Sequence, residues 1–120
     1  MHNTSGLAPS LTWVFEQNDD KITLRLTGAL SRKTLLPLWE QRYSFLSTDK
    51  IAHQQLIWEL ANLTRIDSAG FALLCDFIHH CQKQAQTQII QNAPEQFLTL
   101  ADLFGLSKWI DPFLQHSGKN

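Results

Sequence analysis

Polar and apolar positions alternate twice near the start of the chain. Leu11-Thr12-Trp13-Val14-Phe15 alternates and is rich in β-branched and aromatic residues, which predicts a strand. The polar cluster Gln17-Asn18-Asp19-Asp20 reads as a turn. Ile22, Leu24 and Leu26 then face one side while Thr23, Arg25 and Thr27 face the other, so the second strand has one wet face and pairs antiparallel with the first. Gly28 is expected to end it. The period changes next. Leu35, Trp39, Tyr43 and Leu46 form one stripe at helical spacing, with Ser31 able to cap. Pro37 fits only in a first turn, so this helix should start near Thr34 to Leu36.

Ser47 to Gln55 reads as a polar connection, and the mostly apolar Gln55-Leu56-Ile57-Trp58-Glu59-Leu60 as a central strand. Leu63 to Ile66 is a short run. Asp67-Ser68-Ala69-Gly70 leads directly into an apolar helix running to about Gln84. Thr87 to Gln91 is a further short strand. Pro94 opens a helix carrying Phe97, Leu98, Ala101, Leu103 and Phe104, and Gly105 stops it. A last helical turn holds Trp109, Ile110, Phe113 and Leu114. The order β-β-α-β-α-β-α-(α) predicts an α/β mixed sheet of about four strands packed against three to four helices. Residues 1–10 and 115–120 read as polar flexible tails around a domain spanning 11–114.

Composition narrows the function. The 120 residues are enough for one core, and 43% hydrophobic against 18% charged residues argues against disorder. Ten Lys+Arg against eleven Asp+Glu leave a charge of −1, so no basic surplus invites nucleic acid. No apolar run approaches the roughly 20 residues of a membrane span, and no secretory signal opens the chain. Cys75 and Cys81 lie six apart, about 120° around a helix. They are read as two small buried hydrophobes in a reducing compartment.

Enzyme constellations are absent from the sequence. No glycine-rich phosphate loop, H-E-x-x-H or G-x-S-x-G occurs. Cys75 and His79 share a helix face but lack a third ligand, since Asp76 points elsewhere, so neither metal nor other cofactor is expected. The suggestive segment is Arg65 to Phe71. Ser68 or Asp67 can accept from the free N–H groups at the helix start, where a carboxylate is also favoured. Gly70 lets another backbone come close. The corner is either an ordinary cap or a preorganised polar knob for a partner or a phosphate. On the helix that follows, Leu74, Ile78, Cys81 and Ala85 make one stripe and Leu73, Phe77 and His80 a second. The second is either covered by the C-terminal helix or open to a partner. Trp39 is likewise either a core aromatic or a surface anchor.

With Asp67-Ser68-Ala69-Gly70 at its strand-to-helix junction, this element order resembles the STAS domains, typified by anti-sigma factor antagonists. Leu35-Leu36-Pro37-Leu38-Trp39-Glu40, Arg65 through Leu74, and Thr99 through Leu106 further resemble the MlaB branch of STAS proteins. That resemblance implies a non-catalytic, cytoplasmic subunit that stabilises or activates the MlaF-type ATPase of a phospholipid ABC transporter. The transporter also contains a MlaE-type permease and a MlaD-type lipid-binding subunit, and it maintains outer-membrane lipid asymmetry. It places the subunit at the inner face of the inner membrane, without insertion. Partner contact is expected through Asp67, Ser68, Ala69, Gly70, Phe71 and Leu73, aided by Trp39. The resemblance assigns weight to the hydroxyl right after the aspartate, here Ser68 where Thr is more usual. The alternative it implies is an anti-sigma antagonist that binds a kinase-type anti-sigma factor. In those proteins the phosphorylated serine is the second residue after the aspartate, here Ala69, so a phosphoswitch would have to use Ser68.

Overall fold

The computed structural model describes residues 9–115. Alternation sets the sheet. β1 (Leu11–Asn18) pairs antiparallel with β2 (Lys21–Leu30), with Trp13 opposite Leu26 and Phe15 opposite Leu24. β3 (Gln55–Ile66) and β4 (Thr87–Gln91) follow in parallel, giving a mixed sheet in the order β1-β2-β3-β4. Ile22, Leu24 and Leu26, with Leu56, Trp58 and Ile90, are buried under the helices. The opposite face carries Thr12, Val14, Arg25 and Thr27 and meets solvent.

Gly28 does not end β2. The strand runs on to Leu30, because Gly28 adopts φ +102 where a Cβ would strike the carbonyl of Ser10. The Ala29 N–H donates to that carbonyl at 2.8 Å, so structure already begins at Ser10. Pairing with β3 slips on either side of Gly28. These irregularities change the spacing of buried positions in β3 to Leu60, Leu63 and Ile66. What reads as two segments, Gln55–Leu60 and Leu63–Ile66, is therefore one strand of 12 residues.

The stripe from Leu35 to Leu46 folds as two pieces, α1 (Leu35–Glu40) and α2 (Tyr43–Leu46). Arg42 sits at the break, its guanidinium donating to the Trp39 carbonyl at 2.8 Å. The expected Ser31 cap is a backbone turn instead. The Ser31 carbonyl accepts from the Thr34 and Leu35 N–H groups, and the Thr34 hydroxyl accepts from the Ser31 N–H. The connection to β3 contains one more short helix, α3 (Thr48–Ile51), whose Ile51 is fully buried.

α4 (Ser68–Cys81) lies between β3 and β4 in sequence and stops short of Gln84. Its first stripe packs on the sheet through Leu74, Ile78 and Cys81. A buried relay fixes its height. The Trp58 indole N–H donates to the Gln88 side chain at 2.8 Å, and the Gln88 amide donates to the Ile78 carbonyl at 2.9 Å. Its second stripe is buried too, but not by the C-terminal helix. Phe77 stacks on Trp39 of α1 and Trp58 of β3, both at 6.3 Å, and meets Phe45 of α2 edge-on. His80 alone of that stripe is exposed.

α5 (Glu95–Leu103) follows Pro94 and is stopped by Gly105 at φ +72. α6 (Ser107–Ile110) and a 3-10 turn (Asp111–Phe113) complete the fold. The Gln115 N–H donates to the Ile90 carbonyl, tying the segment after the 3-10 turn to β4. The tail expectations for residues 1–8 and 116–120 lie outside the described residues. No helix among the described residues is long and apolar enough to cross a membrane.

Candidate functional site

The junction between β3 and α4 is built by Asp67. Its backbone is still extended, with φ −108 and ψ −176, and its carboxylate caps α4 by accepting from the Gly70 N–H at 2.9 Å. The same carboxylate accepts from the Arg32 N–H at 3.1 Å, tying the turn after β2 to the helix start. Partial burial raises the Asp67 carboxyl, but the N–H groups of Gly70, Arg32 and Ala69, with the nearby Arg65 guanidinium, outweigh it. The carboxyl is held below the usual carboxylate range. Asp67, not Ser68, is thus the cap.

Freed from capping, Ser68 is exposed on the first residue of α4, and Asp67 and Ala69 are half-exposed beside it. Gly70 is buried because α4 crosses β2 closely here. A Cβ at Gly70 would strike the carbonyl oxygen of Leu30 and lie 2.8 Å from its carbon. Phe71 is 1% exposed and packs against Phe97 at 5.1 Å. Leu73 is 8% exposed. Gly70, Phe71 and Leu73 are thus largely buried and set the corner's position, with Phe71 also lining the floor of the groove beside Ser68.

Ser68 stands at one end of an apolar groove of about 590 Å³. One wall is the outer ridge of α4, with Ala72, Cys75 and His79. The other comes from the far end of the chain, with Phe104, Leu106 and Trp109. Phe104 stacks on Phe71 at 5.9 Å yet stays 50% exposed, and Leu103 beside it is 71% exposed. This second wall was not expected from the sequence. Its one signal is Phe104 directly before the Gly105 stop, where a helix end turns a large ring outward.

Trp39 lies across the same helix. A second, smaller concavity of about 210 Å³ runs along Trp39, Arg42 and Tyr43, and shares Asp76 and His79 with the first. The α4 ridge therefore separates two grooves. Trp39 is not a bare anchor, since Phe77 stacks on it and the Arg42 guanidinium lies 3.6 Å from its ring centroid.

Among the described residues no group of three His, Cys, Asp or Glu side chains could hold a metal. Burial pushes the Cys75 thiol up to about 11 and the buried Cys81 up to about 12, so both stay protonated at neutral pH.

The family model described as "Mlab, STAS domain" matches residues 13–115. This chain is a member of the MlaB family of STAS domains. It is 54% identical over 104 residues to the intermembrane phospholipid transport system binding protein MlaB of Haemophilus influenzae, covering 87% of this chain and 99% of that protein. The MlaB of Escherichia coli is 33% identical over 100 residues, 83% of this chain and 93% of its own. Solved structures extend the fold. Phosphorylated SpoIIAA of Bacillus aligns with a TM-score of 0.66 at 16% identity, covering 90% of this chain and 93% of that one. An anti-sigma factor antagonist from Mycobacterium paratuberculosis aligns at 0.64 with 18% identity, covering 82% and 81%. The MlaB-type sheet and helix order seen here is thus the STAS fold.

Proposed function

We propose that this MlaB-family chain is a non-catalytic accessory subunit of an intermembrane phospholipid transporter, and that it docks onto the transporter's ATPase through the start and outer ridge of α4. The observation that carries this reading is the placement of Ser68. It is an exposed hydroxyl, relieved of capping by Asp67, at the end of a large apolar groove. An apolar groove with a few fixed polar groups at its rim is the form a protein-docking surface takes. The family relatives are named as binding proteins of the transport system, which fits a surface of this kind.

In this reading the partner is an MlaF-like ATPase, itself joined to an MlaE-like permease and an MlaD-like lipid-binding subunit. The chain works in the cytoplasm, held at the inner face of the inner membrane by the complex rather than by insertion. Binding favours one conformation of the ATPase, which is how a subunit without chemistry of its own stabilises or activates it. Ser68→Arg places a long cation at the mouth of the groove. In a pull-down with the cognate ATPase, the wild type is retained and the variant is lost. Equal retention of both would remove Ser68 from the interface.

A second reading, an anti-sigma antagonist switched by phosphate, draws on the likeness to SpoIIAA, which reaches only the fold. Ala69 stands where that switch needs its serine. Incorporation of phosphate at Ser68 by a cognate kinase would revive it.

A further inference from the structure

Beside the groove, on the other flank of Asp67, lies a concavity of different character. Arg32 and Lys33 in the turn after β2 and Arg65 near the end of β3 line a cleft of about 260 Å³, with Pro9, Ser31 and Asp67. All three cations are exposed. Among the described residues the side chains of Arg32 and Lys33 meet no carboxylate at ion-pair distance, and Arg65 acts on Asp67 only from beyond it. Asp67, held ionised by the Gly70 and Arg32 N–H groups, offsets one of the three charges and leaves the cleft net positive. The chain as a whole carries −1, so this concentration of positive charge is a local feature and not a general basicity.

We infer that the Arg32–Lys33–Arg65 cleft receives an acidic segment of the same ATPase, a stretch of Asp and Glu carboxylates, and steers it onto the Ser68 corner. The inference rests on the docking reading above, and continuity supports it. Asp67 lines this cleft while Ser68, the next residue, lines the apolar groove. The two surfaces together make an apolar contact with a charged flank, the arrangement that gives fast, oriented association. The cleft's shape favours a polypeptide over a compact anion. Asp67 sits in the lining and would repel a phosphate placed centrally, whereas carboxylates spaced along a chain can meet the three cations one at a time. A membrane surface fits less well, since Pro9 is the one apolar side chain in the lining and no large aliphatic or aromatic side chain stands there to enter lipid.

The test measures association of the cognate ATPase with the full chain at about 50 and about 300 mM salt, a range over which exposed charges become largely screened. Wild type is compared with the double variant Arg32→Glu/Lys33→Glu, with Arg65→Glu, with the charge-conserving Arg32→Lys, and with Ser68→Arg. The reversed variants should associate at least about tenfold more slowly at low salt and lose most of the salt dependence, while Arg32→Lys stays near wild type. Thermal melts should show every variant cooperatively folded, with a small loss for Arg65→Glu, which removes a cation that helps hold the Asp67 carboxylate charged. If the reversed variants keep wild-type rates and salt slope while Ser68→Arg fails to bind, the cleft proposal falls and the docking reading stands. If Ser68→Arg also binds normally, both fall. Charge-dependent adsorption of the isolated chain to phosphatidylglycerol vesicles, with ATPase association unchanged by reversal, would overturn the protein-partner assignment in favour of lipid.

Discussion

Asp67 and Ser68 divide two tasks that the sequence alone leaves shared between them. Either side chain could cap α4. The structure gives the cap to Asp67, whose carboxylate reaches both the Gly70 and Arg32 N–H groups. That leaves the Ser68 hydroxyl facing solvent. The division predicts a pH signature. Because the folded carboxyl lies below its ordinary value of 3.8, Asp67 contributes stability that is complete above 3.8 and is lost as pH falls through the lower folded value. Asp67→Ala should therefore cost about 1–2 kcal/mol at neutral pH, the scale of a lost helix cap. Denaturant unfolding of both proteins along a descending pH series should show that gap closing only below 3.8. A gap that is constant with pH would mean the carboxylate's charge contributes nothing.

Among elements, α4 and its approach to β2 decide where the corner sits. Gly70 is the contact point, with the Leu30 carbonyl occupying the space a Cβ would need. On helix propensity alone, Gly70→Ala should stabilise by roughly 1 kcal/mol. The close crossing reverses the sign, and a loss of about 1–3 kcal/mol is expected from overpacking against backbone. Equilibrium unfolding of Gly70→Ala distinguishes the two. The need for a small residue here was legible, as was the alternation of β1 and β2 and the placement of β4. Other features were not. The pattern of β3 broke because irregular pairing around Gly28 shifts its buried positions to Leu60, Leu63 and Ile66. The α1–α2 break at Arg42 left no trace in a stripe that looks continuous. The second stripe of α4 could be resolved only by knowing that Trp39 and Phe45 fold back over Phe77.

At the scale of the whole molecule, the sheet separates an open polar face from a helical layer, and the candidate site belongs to the helical side. Residues distant in sequence meet there. Ser68 and Ala72 form one wall of the groove, and Phe104, Leu106 and Trp109 the other. No local pattern brings residues so far apart together, which is why the C-terminal wall escaped sequence reasoning while the corner did not. The same reasoning separates residues that belong to one motif. Gly70, Phe71 and Leu73 are adjacent to Ser68 in sequence but buried in the core. The open sheet face, where Val14 is 53% exposed, gives an internal control. The decisive measurement is site-specific photo-crosslinking within the assembled transporter, with the reactive group placed at position 68 and, separately, at position 14. A covalent adduct to the ATPase from position 68 and none from position 14 is the predicted result, and adducts from position 14 alone would contradict docking through the start of α4.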